Sequence, residues 1–208
     1  MSPENLKRIP NFLTSMRLII IPLMVFAFYI PGMLSNIITA LLFAIASITD
    51  YFDGYLARLM KAQSDFGRCL DPIADKLLVI VAIVMLIKFN PQNPWILFPG
   101  LIIITREVLV SGLREYLAEI NIKVPVSVLA KYKTAVQMFA IGGLLLGENG
   151  SAYILYQWIG GYIEADIKYV VISIIGVVAK FLFVLASFLT VVTGFAYFKT
   201  GFKNMDNH

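Results

Sequence analysis

Four aspartates interrupt two apolar stretches of this 208-residue chain, Asp50 with Asp53 and Asp71 with Asp75, in the pattern D-x2-D-G-x2-A-R-x8-G-x3-D-x3-D. Residues three or four apart share one face of a helix, so each pair projects together. A short connection between the pairs would gather all four carboxylates. Such a cluster cannot ionise fully without counter-charge. Oxygen-only donors select hard divalent ions such as Mg²⁺, Mn²⁺ or Ca²⁺, and a chain with one His and one Cys offers little to zinc. Two such ions about 3.5 to 4 Å apart would clamp a reacting phosphoryl group.

The letters between the acids have reasons of their own. Gly54 and Ala57 leave the helix face beside the acids nearly bare, so a phosphate-bearing ligand can approach the backbone, and Arg58 supplies a planar donor for it. Gly67 is expected to end the loop between the two pairs. Each glycine alone is explained as well by helix packing; beside four spaced acids and Arg58 it is not. Cys69 reads as a small packed residue rather than a reactive thiol, because no base partner is in view.

A second, basic group stands further along. Arg106 and Arg114 are a little over two helical turns apart and so on roughly the same side of one segment, and Lys131 and Lys133 open the next. Arginines within an apolar span need partners, which a phosphate-bearing substrate would supply. Pairing with Glu107, Glu115 and Glu119, or anchoring at a membrane surface, explains any one of them equally well.

The elements that must position these groups are apolar helices. With 59% hydrophobic residues, 14% charged residues and a mean hydropathy of +0.81, the chain reads as a polytopic all-α membrane protein. About six stretches approach the roughly 20 residues needed to cross a bilayer. They run near Leu13 to Ile30, Leu34 to Leu59, Asp71 to Phe89, Trp95 to Leu117, Val126 to Leu146 and Tyr169 to Phe198. The opening Glu4 to Asn11 is read as a short surface helix. The segment from Gly147 to Asp166 is read as an outer loop with interfacial aromatics. Pro31-Gly32 and Asn90 to Pro94 leave room only for tight links, so one domain spans residues 1–208.

Lys and Arg near short loops stay on the cytoplasmic side. That places both termini inside, together with the loops Met60 to Leu70 and Ala118 to Pro125. The first segment follows Lys7 and Arg8 and carries no small-residue cleavage site, so it is expected to be retained. The net charge of +4 then lies at the inner face, toward anionic lipid rather than nucleic acid. Lys180, inside the last span, has no assigned role.

The run from Asp50 to Asp75 resembles the signature of the CDP-alcohol phosphotransferase family at every fixed letter and spacing. The resemblance implies a six-helix membrane fold, a homodimer, and displacement of CMP from a CDP-linked donor by an alcohol. It implies that Asp50, Asp53, Asp71 and Asp75 hold two divalent cations, Mg²⁺ or Mn²⁺, with Asp75 as the base that deprotonates the acceptor. Asp53, Gly54, Ala57, Arg58, Gly67 and Asp71 would line the nucleotide site. Asn11 and Thr14, in the run from Pro10 to Arg17, resemble the family's amino-terminal contribution to it; alone, they read equally well as a helix cap.

The stretches around Arg106 to Arg114 and Lys131 to Lys133 are similar to those of the family's bacterial phosphatidylglycerophosphate synthases. That implies CDP-diacylglycerol as donor and glycerol 3-phosphate as acceptor, its phosphate held by Arg106, Arg114, Lys131 and Lys133. Phosphatidylglycerol, inositol phosphate and serine are the rival acceptors. A cation transporter would also bury acidic pairs, but near the midplane and with a path to both sides.

Overall fold

The computed structural model describes the backbone of residues 3–60, 65–120, 128–159 and 165–205, and side chains within 14–50, 70–120, 128–147 and 174–199 and at 201. The described residues form six helices and no strand: α1 (Pro3–Ala27), α2 (Met33–Met60), α3 (Asp65–Phe89), α4 (Pro94–Glu119), α5 (Val128–Ile159) and α6 (Ala165–Met205). Three of them contain stretches long and apolar enough to cross a membrane, Met33–Asp50, Pro94–Glu119 and Ile174–Lys199.

The links between early helices follow local chemistry. Gly32 takes a left-handed φ of 80° before α2, the conformation that costs glycine least. Asn90 covers the end of α3 by donating its side-chain amide to the Leu86 carbonyl at 2.9 Å. Asn93 then starts α4, its side chain accepting from the Trp95 amide at 3.1 Å ahead of Pro94 in the first turn.

Several helix ends depart from the sequence reading. α1 is one helix from Pro3, so the segment expected as a separate surface helix is its first part. α3 begins at Asp65, which puts Gly67 inside a helix rather than at the end of a loop. Pro72 is also inside α3, where its ring removes one intrahelical donor. The segment expected as an outer loop is helical from residue 148 to Ile159, set off from the first part of α5 by a kink at Gly147, whose φ of 60° and ψ of −175° are non-helical and open to glycine almost alone. Of the loops expected at Met60 to Leu70 and Ala118 to Pro125, residues 65–70 belong to α3 and Ala118 and Glu119 to α4, while 61–64 and 121–125 lie outside the described residues.

The chain divides into two compact units, Met1–Met85 with Leu145–Ile175, and Leu86–Leu144 with Gly176–His208. In the first, α1 packs on α2. Asn36 of α2 donates its side-chain amide to the Leu145 carbonyl at 3.1 Å, covering an acceptor beside the bend at Gly147. In the second, α5 and α6 touch where Gly143 meets Ala179, and α6 lies along α4 through Gly194 against Arg106 and Gly201 against Leu113 and Leu117. Seven residues on α6 match seven on α4 in the same direction, so these two helices run parallel.

Burial differs from that of a water-soluble domain. Beside an apolar core that includes Met24, Leu78, Ile83, Ile103 and Phe183, the polar Thr14, Arg17, Thr39, Lys133, Gln137, Thr190 and Thr193 are buried, whereas Phe139, Phe181, Phe188 and Phe195 are exposed. Polar side chains turn inward when the surroundings are hydrocarbon, and small residues let helices approach closely. Three serine and threonine hydroxyls of α2 (Thr39, Ser47 and Thr49) and two of α6 (Ser187 and Thr193) donate to their own helix backbone.

Candidate active site

In the first unit, three helices bring polar groups to one place. Thr14 and Arg17 are three residues apart on α1 and therefore on one face. Arg17 pairs with Asp50 Oδ1 near the end of the α2 apolar stretch, Nη1 to Oδ1 being 2.7 Å. Thr14 Oγ1 donates to Asp71 Oδ1 of α3. Asp50 and Asp71 are close enough for their like charges to act on each other, and Asp75 follows one turn later on α3. Asp71 and Asp75 are half-buried, as is Asp50.

Arg17 is the residue that sequence reasoning missed. Its side chain has 0% exposure against 37% for Asp50, so a charged guanidinium is held inside the unit by a carboxylate at its edge. The signal was available: an arginine a turn into an apolar helix must find an anion.

A divalent cation is compatible with this chemistry. Arg17 and Thr14 each engage Oδ1 of their aspartate, and a carboxylate carries two oxygens. All donors are hard oxygens, suited to Mg²⁺ or Mn²⁺. Among the described residues no group of three or more metal-ligating side chains is gathered, and the side chain of Asp53 lies outside them. So do those of Asn11, Gly54, Ala57, Arg58 and Gly67, although each belongs to α1, α2 or α3.

The basic group is in the second unit. Lys133 Nζ donates to Glu107 Oε1, and the same oxygen is 3.6 Å from Arg106 Nη1. Two cations therefore share one carboxylate, leaving one positive charge in excess. Arg106 also donates from Nη2 to Thr193 Oγ1 at 3.1 Å. Lys131, two residues before Lys133, is exposed while Lys133 is buried. Positions two apart point to different sides of a helix, so only one of the two lysines can face Glu107. Arg114 is exposed, yet near enough for its charge to act on Arg106.

Residues 7–198 match the family described as CDP-alcohol phosphatidyltransferase. The chain is similar to the CDP-diacylglycerol--glycerol-3-phosphate 3-phosphatidyltransferase of Rickettsia felis, with 49% identity over 154 residues, 74% of this chain and 83% of that one. The protein of the same name from Haemophilus influenzae is 48% identical over 143 residues, 68% of this chain and 77% of its own length. For Salmonella choleraesuis the identity is 43% over 143 residues, covering 68% and 78%.

Proposed function

Because the chain belongs to the CDP-alcohol phosphatidyltransferase family, we propose that it transfers the phosphatidyl group of CDP-diacylglycerol to sn-glycerol 3-phosphate, giving phosphatidylglycerophosphate and CMP. The observation that carries this reading is the meeting of α1 with the aspartate signature, Thr14 on Asp71 and Arg17 on Asp50. The names of the relatives support the acceptor, as does the cationic group around Glu107.

In this reading Asp50, Asp53, Asp71 and Asp75 would hold two divalent cations, Mg²⁺ or Mn²⁺. When bound, these ions would neutralise pyrophosphate charge and polarise the phosphorus. Asn11, Thr14, Asp53, Gly54, Ala57, Arg58, Gly67 and Asp71 bind CMP. Thr14 holds Asp71 in one orientation, and Arg17 does the same for Asp50. Asp75 accepts the proton of the acceptor hydroxyl as that oxygen attacks the lipid-side phosphorus. The bond from phosphorus to the CMP oxygen breaks, and CMP leaves with the electron pair. Positioning and charge neutralisation supply most of the acceleration, as in other phosphoryl transfers.

Arg106, Arg114, Lys131 and Lys133 hold the phosphate of the acceptor. Arg106 and Lys133 form its centre, because one carboxylate between two cations leaves room for a second anion. The whole chain, residues 1–208, acts as one catalytic domain with six membrane crossings, both termini and the site at the cytoplasmic face of a bacterial membrane, assembled as a homodimer. Exposed apolar side chains along α4 and α6 support membrane residence.

The test is CMP release from CDP-diacylglycerol by the purified protein with Mg²⁺ or Mn²⁺. Glycerol 3-phosphate is compared with serine, inositol phosphate and phosphatidylglycerol, and a chelator serves as control. Release that needs glycerol 3-phosphate and stops on chelation is expected. Release with another acceptor alone overturns the acceptor and keeps the chemistry; no release with any acceptor overturns both.

A further inference from the structure

We propose that Thr193 and Gly194 of α6 form a notch that positions Arg106 for the acceptor phosphate, which makes Thr193 a specificity-determining positioning residue. The proposal rests on the acceptor reading of Arg106 given above.

The chemistry of Thr193 is one-sided. Its hydroxyl donates to the Leu189 carbonyl at 2.8 Å and lies 3.2 Å from that of Thr190, so its single proton is committed to the helix backbone. What it turns toward Arg106 is a lone pair, and Nη2 donates to it at 3.1 Å. A neutral acceptor fixes the guanidinium without cancelling its charge. A carboxylate in the same place would fix it equally well but leave nothing for a substrate anion.

Gly194 supplies the space. A Cβ there would stand 3.1 Å from Arg106 Cγ and 3.4 Å from Nε, so the arginine stem lies directly against the α6 backbone. One heptad on, Gly201 brings the same face of α6 against Leu113 and Leu117 of α4. The two glycines hold the parallel helices at one spacing, and Thr193 takes up the guanidinium at that spacing. Glu107 Oε1, 3.6 Å from Nη1, attracts the other side as an ion-pair partner. The planar group is thereby oriented by its hydrogen bond at Nη2, while Nε has no hydrogen-bond partner among the described residues. Orientation matters for a fork that recognises phosphate in a plane.

The experiment measures steady-state kinetics for Thr193→Val, Thr193→Ser, Gly194→Ala and Arg106→Ala, alone and with Arg106→Ala/Thr193→Val combined. Losing a hydrogen bond to a charged group is worth about tenfold or more. Thr193→Val is therefore expected to raise KM for glycerol 3-phosphate about tenfold, with kcat and KM for CDP-diacylglycerol changed less than about twofold. Thr193→Ser restores the wild-type value, and the double variant is no worse than Arg106→Ala. If Arg106→Ala raises that KM while Thr193→Val leaves it alone, or changes both KM values equally, the notch is packing only and the acceptor reading stands. If Arg106→Ala leaves it unchanged, the acceptor reading fails and the notch with it. Should Thr193→Val not fold, Thr193→Ala and Gly194→Ala carry the same comparison.

Discussion

Asn36 on α2 and the carbonyl of Leu145 on α5 are 109 residues apart in sequence and 3.1 Å apart in space. The bond covers the backbone acceptor of Leu145, itself buried, beside the bend at Gly147. Asn36→Leu would remove the donor at almost constant volume. Leaving a buried acceptor unsatisfied costs about 1–3 kcal/mol, so the thermal midpoint in detergent should fall by several degrees. Gly147→Ala should fall at least as far, because its φ of 60° disfavours any Cβ and such strain costs about 1–3 kcal/mol. The added Cβ would also stand 2.9 Å from Asn36 Nδ2. An unchanged midpoint in both variants would show that the bend needs neither residue.

Arg17 and Asp50 form a pair with one partner fully enclosed. Breaking a buried ion pair by removing one side costs about 3–5 kcal/mol. Arg17→Ala should therefore give little folded protein, and Arg17→Lys should recover part of it. Size-exclusion profiles after detergent extraction would read this directly; a monodisperse Arg17→Ala protein at normal yield would argue against any structural weight in the pair.

Glu107 joins Arg106 and Lys133, the latter only 3% exposed. Glu107→Leu should destabilise by about 3–5 kcal/mol, since it strands a buried cation. Glu107→Leu with Lys133→Met should regain most of that stability yet raise KM for glycerol 3-phosphate, because the group keeps its single excess positive charge on Arg106 but loses the Lys133 ammonium as a second donor to the acceptor phosphate. A double-mutant cycle on the thermal midpoint measures the coupling; simple additivity would mean the two groups do not act together.

Asp75→Asn should keep CMP-dependent thermal stabilisation while losing turnover by about 10²-fold or more, the usual scale for a general base. Wild-type turnover in that variant would remove Asp75 from the role.

Arg114→Ala should raise the requirement for glycerol 3-phosphate and spare the affinity for CDP-diacylglycerol. Equal loss toward both substrates would give Arg114 a structural role instead.

Local relationships were legible in the sequence and long-range ones were not. The hydropathy of Leu34 to Leu59 places α2 within a residue of its ends. Charge and span position put Arg106, Arg114, Lys131 and Lys133 in one basic set and offered Glu107 as a partner, but that Lys133 rather than Lys131 meets Glu107 depends on the rotation of α5, which charge does not reveal. Arg17 with Asp50, and Thr193 with Arg106, join residues brought together only by tertiary packing. A threonine in an apolar run carries no mark of its partner. The helix from residue 148 to Ile159 was hidden because Gly, Tyr and acidic residues suit a loop as well as a bent helix.

The exposure of large apolar side chains bears on which substitutions the chain will tolerate. In a soluble enzyme, random libraries find their freedom at the polar surface and their constraint in the large apolar core. Here Phe181, Phe188 and Phe195 lie on the outside of α6, where another bulky apolar group meets the same fluid chains. Size is fixed in the apolar core, at Phe183 and Met24 for example, and also at particular small residues on helix contacts. Gly143 has room for at most a methyl group pressed against Ala179 at 3.0 Å, and Gly194 is backed by an arginine. Deep mutational scanning should accordingly show drift at Phe181, Phe188 and Phe195 and depletion at Gly143 and Gly194, a profile that inspection of hydrophobicity alone would assign the wrong way round.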